Sequence, residues 1–420
     1  MSSYKNAKLA VLAALRNTPD FSSLACLHSL RPAQLRRFLA WCDHNGVSAY
    51  FLQRLRGLHI ENLLSPGLLF ELQSRADANR ARSAELFADF RIVNEALASS
   101  GARYLALKGV TLFPEFCPSL ALRHQTDLDF WIDPAHLPFA VASLVNCGYS
   151  FYSRLDSGTV MLTNGAFGSM SLHESVYKPG RPRKIELHTR LLEDTEPIAL
   201  EFPVESLHPP EFRTLDAATF PAMSLSDRFL FQALHAFQHT AGGWTRLAWF
   251  YEIASFLQRM RTRESLWQAV AHSLARDPLL RNAVGLILEI VRHTFAAEIP
   301  EPLQIACTSK LPGRIPLWCR HFAADFVVSE RAGNKNVLFV KEVFVPDARV
   351  WRAFLAKALF PRKASYAIRE TRGLASGPAW ANRGDQFAYV AHRLGYHARS
   401  LAAYPVQWLR WQLLLRTGAG

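Results

Sequence analysis

Carboxylates are in short supply in this chain: 35 Asp and Glu stand against 48 Lys and Arg over 420 residues, a formal charge of +13. That balance excludes an acidic, self-repelling polypeptide. It suits an anionic partner, whether nucleotide, nucleic acid or acidic surface, although surface arginine alone also produces it. Cysteine is equally sparse. Cys26, Cys42, Cys117, Cys147, Cys307 and Cys319 form no C-x-x-C pair and have no histidine at zinc-finger spacing. A disulfide framework and structural zinc are therefore excluded, and the expectation is buried, reduced thiols in a cytoplasmic protein. No apolar run reaches the roughly 20 residues of a membrane span. Residues 1–20 hold no apolar core followed by a small-residue cleavage site, so no secretory signal is expected. There is no internal repeat. Apolar residues are not lacking: half the chain is hydrophobic, with 10 Trp and 28 Phe, which marks a globular protein. The length allows two or three domains.

The chemistry concentrates in Leu107–Asp133, L-K-G-V-T-L-F-P-E-F-C-P-S-L-A-L-R-H-Q-T-D-L-D-F-W-I-D. An apolar strand from Arg103 to Leu107 runs into Lys108-Gly109, and a second strand opens with D-L-D-F-W-I at Asp127. Side chains alternate along a strand, so Asp127 and Asp129 share one face while Leu128 and Phe130 take the other. Two carboxylates about 4 Å apart repel by roughly 4 kcal/mol at an effective dielectric of about 20, so a cation belongs between them. A hard divalent ion is the ordinary answer, and Mg²⁺ takes one or two carboxylates plus substrate phosphates. In Arg183–Arg190 the same alternation puts Glu186, His188 and Arg190 on one face and Ile185 and Leu187 on the other. If that strand lies beside Asp127–Ile132, Glu186 is a third carboxylate in a phosphoryl-transfer site.

In chain order, the patterning predicts helices over Asn6–Arg16, over Pro32–Arg56 with a break at His44-Asn45-Gly46, and from Pro66 to Ala98. Then come the strand into Lys108-Gly109, a short helix over Val110–Phe116 and the acidic strand. Asp133-Pro134 opens a helix ended by Gly148. Alternating stretches Tyr149–Leu155 and Gly168–Tyr177 lead through a Pro-Gly connection to the Glu186 strand. From Leu225 the period is helical: Ser226-Asp227 caps a helix to Thr240, Gly242-Gly243 breaks it, and Trp244–Arg261 follows, then two more over Glu264–Phe295. The fold expectation is α+β: a helical region over 1–100, a small mixed β-sheet core over 101–222, and a helical region over 223–420. His235 and His239 fall one turn apart, but no H-E-x-x-H pattern makes them zinc ligands. Tyr404–Arg416 has the pattern of an interfacial amphipathic helix or of one packed on its own domain.

Lys108-Gly109, Arg123, D-L-D-F, I-E-L-H, Leu234-His235 and Trp244-x-Arg246-Leu247 with Glu252-Ile253-Ala254 resemble the bacterial uncharacterised nucleotidyltransferase family of the polymerase-β-like superfamily. The resemblance implies a nucleotidyltransferase core that transfers NMP from an NTP, ATP foremost, to an acceptor hydroxyl or amine and releases pyrophosphate. It implies Asp127, Asp129 and Glu186 as catalytic residues and ligands of Mg²⁺ or Mn²⁺. Lys108, Gly109, Arg123, His188, His235 and Arg246 would contact the nucleotide. The acceptor is open: small molecule, peptide, protein or RNA. One departure is Gly109-Val110 where the superfamily carries Gly-Ser, which shifts the serine's phosphate contact to Thr111 or Lys108. That departure favours an alternative, a catalytically inactive nucleotide- or nucleic-acid-binding protein on the same fold. An Asp-x-Asp glycosyltransferase is a further alternative, as is a modifier of RNA ends. A last ambiguity concerns Arg246, which either binds phosphate at a helix start or pairs with Glu252.

Overall fold

The computed structural model describes residues 3–155, 158–166, 176–193, 195–329, 335–345, 347–359, 391 and 404–417. Seven strands build one mixed sheet: β1 (Tyr104–Leu107), β2 (Asp127–Ile132), β3 (Ser150–Arg154), β4 (Val160–Thr163), β5 (Lys184–His188), β6 (Glu211–Leu215) and β7 (Ala218–Ala222). Their spatial order is β3-β4-β5-β2-β1-β7-β6. β2 is central, antiparallel to β1 with Leu107 opposite Asp129, and parallel to β5 with Asp129 opposite Glu186.

The alternation read from the sequence now has physical content. Leu128, Phe130 and Ile132 join Ile185, Leu187, Val160 and Leu162 in an apolar layer against Phe90, Val93 and Leu97 of α4 (Pro66–Ser99) and Ala140 and Leu144 of α5 (Leu137–Asn146). Asp127, Asp129, Glu186 and His188 take the opposite face, toward α6 (Leu225–Gly242) and α7 (Leu247–Met260). The larger core lies on that second side. It runs from Tyr4 through α6 and α7 to Trp411, so helices before and after the sheet pack as one body.

α4 has 34 residues, about 51 Å at the usual rise. Its buried positions, Leu68, Leu72, Arg75, Asn79, Arg82, Leu86, Phe90, Val93 and Leu97, recur every three or four residues, the stripe of a helix against a core. Three consecutive members of that stripe are polar. Asn79 donates from Nδ2 to the carbonyls of Ala121 and Arg123 at 2.6 and 3.2 Å and so ties down the loop that feeds β2.

Several expectations are met at their boundaries. α2 (Pro32–Asn45) stops at Gly46, which takes φ +67, and α6 ends at Gly243 with φ +76. Others are corrected. The predicted helix over Val110–Phe116 is only a 3₁₀ turn, Gly109–Leu112. α6 is capped by Ser224, whose hydroxyl accepts from the Asp227 amide, so Ser226 and Asp227 lie inside the first turn. α7 begins at Leu247, leaving Trp244 and Arg246 in extended backbone before it. The hairpin of β6 and β7 carries weak alternation and was not anticipated. Cys147 is exposed and Cys26 partly so, while the other four thiols are buried. Most of the expected strand Gly168–Tyr177 lies outside the described residues. In the helix over 404–417, Trp411 is buried against Phe322 and Phe339 while Val406, Trp408, Leu409 and Leu413 stay exposed.

Candidate active site

β1 delivers Lys108 through a strained turn. Lys108 has φ +46 and Gly109 φ +41, a left-handed pair that only glycine adopts at little cost. The Thr111 amide and hydroxyl both donate to the Lys108 carbonyl, at 2.8 and 2.7 Å, and hold the turn shut. A Cβ on Gly109 would sit 2.0 Å from Gln125 Nε2, an impossible contact. Gln125 donates in turn to the Asp127 carbonyl at 2.9 Å. Gly109 therefore lets Gln125 brace the start of β2. It does not line the cleft, and neither does Thr111. Val110 packs into the apolar layer beneath the sheet, so a serine there would not face the cleft either.

Between the sheet and α6–α7 lies a cavity of about 1420 Å³. Lys108, Arg123, Asp127, Asp129, Glu186, His188, His235 and Arg246 all line it, so every sequence-predicted site residue except Gly109 meets there. The acids do not cluster as the sequence implied. Ligand atoms of Asp129, Glu186 and His188 lie within 4.8 Å of one another, and Asp127 stands outside that group. The parallel register is the reason: it sets Glu186 beside Asp129 but Lys184 beside Asp127. His188 reaches back along its strand. Its Nε2 lies 3.0 Å from Asp129 Oδ1 and 3.6 Å from Glu186 Oε2, and its Nδ1 lies 3.2 Å from the Thr159 hydroxyl. An ionised Asp129 only accepts, so Nε2 carries the proton.

Lys108 is the resident cation of this cluster. Its Nζ donates to Asp129 Oδ1 at 2.8 Å. Although burial alone would lower it, Asp129, Glu186 and Asp127 raise the ammonium's pKa above its ordinary value. Asp129 is held well below the usual carboxylate range against the effect of burial, by Lys108 and by the His188 hydrogen bond. Burial, then Asp129, raises Asp127, whose carboxylate accepts no hydrogen bond from a described residue. Burial first, and then Asp129 and Asp127, push Glu186 well above an ordinary glutamate. One acid is thus firmly ionised and two retain protons unusually well. A donor set of carboxylate oxygens and one imidazole within 4.8 Å fits a small divalent ion.

Arg123 and Arg246 separate. Arg123 is buried and its Nε lies 3.1 Å from Glu252 Oε1 as an ion pair, at an angle that makes no hydrogen bond. The Tyr50 hydroxyl donates to the same oxygen at 2.8 Å. The expected alternative, in which Arg246 pairs with Glu252, is corrected: Glu252 belongs to Arg123. Arg246 makes no ion pair among the described residues and lies instead over the rings of Trp244 and Trp249, 5.5 and 5.7 Å from their centroids. His235 and His239 line the cleft as a pair, Nε2 to Nε2 3.1 Å, both held neutral chiefly by burial, His239 down to about 3.

A profile of the family described as uncharacterised nucleotidyltransferase matches residues 31–296, which takes in α2, the whole sheet, α6 and α7. The chain belongs to that family. No curated protein sequence matches it. No helix among the described residues is long and apolar enough to cross a membrane. Within this nucleotidyltransferase, sequence reading missed Arg82, His124, Trp244 and Trp249 as cleft residues. Arg82 had a signal: with Arg75 and Asn79 it is one of three successive polar members of the buried helical stripe. His124 had none beyond its place next to Arg123.

Proposed function

We propose that this nucleotidyltransferase moves a nucleoside monophosphate from an NTP to an acceptor hydroxyl or amine, with Mg²⁺ or Mn²⁺ as its ion and ATP the first nucleotide to try. The observation that carries the reading is the convergence of Asp129, Glu186 and His188 within 4.8 Å on the wall of a large cleft, with Asp127 on the same strand face. Asp129, Glu186 and Asp127, with His188 as ligand or orienting partner, would hold the ion, which when bound supplies charge stabilisation at the α-phosphate and orients the triphosphate.

The chain's own groups do the rest. Lys108 and Arg246 neutralise phosphate charge, Arg246 with both terminal nitrogens available and its plane fixed by two indoles. Glu186, a carboxylate that the bound ion would keep ionised, takes the acceptor's proton as its oxygen or nitrogen attacks. The new bond forms at the α-phosphorus, the α–β bridging bond breaks, and pyrophosphate leaves toward the basic wall. Val110 was the feature favouring an inactive relative. Its side chain lies in the core and not in the cleft, so it removes no phosphate ligand at this geometry.

The test is incubation with each α-labelled NTP, Mg²⁺ or Mn²⁺ and a lysate of the host cell. Label should transfer to an acceptor, and Asp127→Ala/Asp129→Ala should cut transfer at least about a thousandfold while circular dichroism is preserved, since the carboxylates supply several kcal/mol through the ion. Unchanged metal–nucleotide affinity in that double variant would remove the site.

A further inference from the structure

Arg82 is 2% exposed yet lines the cleft. Its only hydrogen bond among the described residues runs from one terminal nitrogen to the Lys178 carbonyl at 3.3 Å, and its buried Nε has no partner. No carboxylate of the described residues lies within ion-pair reach of it. Glu85, one turn on, is committed to Arg183 and to the Gly180 amide. Arg246 makes no ion pair either. His124 lines the same cleft, half-buried, with its buried Nε2 unpartnered, and it stays unprotonated down to about 3 because of burial and then the charges of Arg246 and Arg82. A buried cation without an ion-paired counter-ion costs several kcal/mol, and Arg82 with the half-buried Arg246 leaves positive potential on the cleft wall that no carboxylate of the described residues closes as an ion pair.

We infer that Arg82 and Arg246, around His124, form a subsite for the terminal phosphate of a triphosphate, and that this subsite makes the cleft prefer triphosphates to diphosphates. The inference rests on the nucleoside triphosphate reading above for its place in the reaction. Both arginines line the same cleft as Lys108, which is assigned above to phosphate. Arginine's fork suits two phosphate oxygens at once, and a terminal phosphate brings more negative charge than a bridging one.

Calorimetry in EDTA with sodium tripolyphosphate and with pyrophosphate tests it without metal or nucleotide. The wild-type protein should bind tripolyphosphate at least about tenfold more tightly. Arg82→Gln should lose about ten- to a hundredfold in tripolyphosphate affinity and stay within about threefold for pyrophosphate, with Arg82→Lys between, the range for charged hydrogen bonds. Hydrogen exchange on the wild-type protein covers the case in which Arg82→Gln fails to fold: tripolyphosphate should protect α4 around residues 79–86 more than pyrophosphate does. Equal loss for both anions, no loss, or no differential protection overturns the subsite. If tripolyphosphate selectivity depends on Arg82 but no NTP yields transfer, the subsite stands and the catalytic reading fails. If transfer occurs and Arg82→Gln keeps the selectivity, only this inference fails.

Discussion

Arg75 and Arg183 behind the cleft, and Arg123 on its wall, each face a carboxylate: Asp43 at 3.0 Å, Asp89 at 2.8 Å and Glu252 at 3.1 Å. Arg82 and Arg246, on the same wall, make no ion pair among the described residues. The two sets are equally arginine, and sequence composition cannot separate them. What separates them is reach: Arg75, Arg123 and Arg183 each come within ion-pair distance of a carboxylate, and Arg82 and Arg246 do so with none among the described residues, which suits them to an external anion. A buried guanidinium paired with a carboxylate is a staple, and one held only by indole faces and a carbonyl is a ligand-binding group.

The sharpest way to break that comparison is to truncate one member of each set. Arg123→Ala leaves Glu252 buried and unpaired, and should cost about 3–5 kcal/mol of stability in denaturant titration. Arg246→Ala strands no carboxylate. It should leave the melting temperature nearly unchanged and weaken nucleotide binding by about ten- to a hundredfold, read by calorimetry. If Arg246→Ala melts early and binds nucleotide normally, the division between staple and ligand group is wrong.

Lys108 belongs to both sets, because it pairs with Asp129 in the cleft itself. A metal ion bound at that oxygen would displace it, and the freed ammonium would then be available to phosphate. Lys108→Gln should therefore bind Mn²⁺ alone about tenfold more tightly and Mn²⁺ with a non-hydrolysable NTP analogue about tenfold more weakly, the scale of one charged hydrogen bond. Two changes of the same sign would show that Lys108 does not alternate between acid and phosphate.

The smallest expected effect is on pH dependence. His124 and His239 stay unprotonated down to about 3 in the folded protein, against an ordinary value of 6.5, chiefly through burial. Between pH 6.5 and 3 the unfolded chain therefore binds more protons at these positions than the folded one, so stability falls as pH falls through that window. His124→Asn/His239→Asn should give a shallower loss between pH 7 and pH 5 in denaturant titrations. An unchanged slope would mean that neither imidazole is kept neutral by the cleft.

How much of this was legible can be argued from single residues. Asp127 and Asp129 were assigned to one face because a strand alternates, and β2 obeys. Glu186 was assigned to the same site on the condition that its strand lay beside β2, and the parallel pairing meets that condition. Alternation placed His188 on the Glu186 face. Its place beside Asp129 depends on a cross-strand register that no local pattern encodes. Arg123 carried the same motif value as Arg246, and only the approach of Glu252 and Tyr50, 129 and 73 residues away in sequence, made it a staple.

Local physics alone determined the strand and helix faces, the glycine stops at Gly46 and Gly243, and the acid pair, because each depends on side-chain period or on one residue's φ. Tertiary structure decided what those residues meet. It made Gly109 a seat for Gln125 and sent Val110 into the core. It also exchanged Asp127 for His188 in the tightest cluster, and left Arg82 uncompensated. Each of these turns on distances of a few ångströms between segments far apart in the chain, where the energy of a charge changes several-fold with burial and with one neighbour.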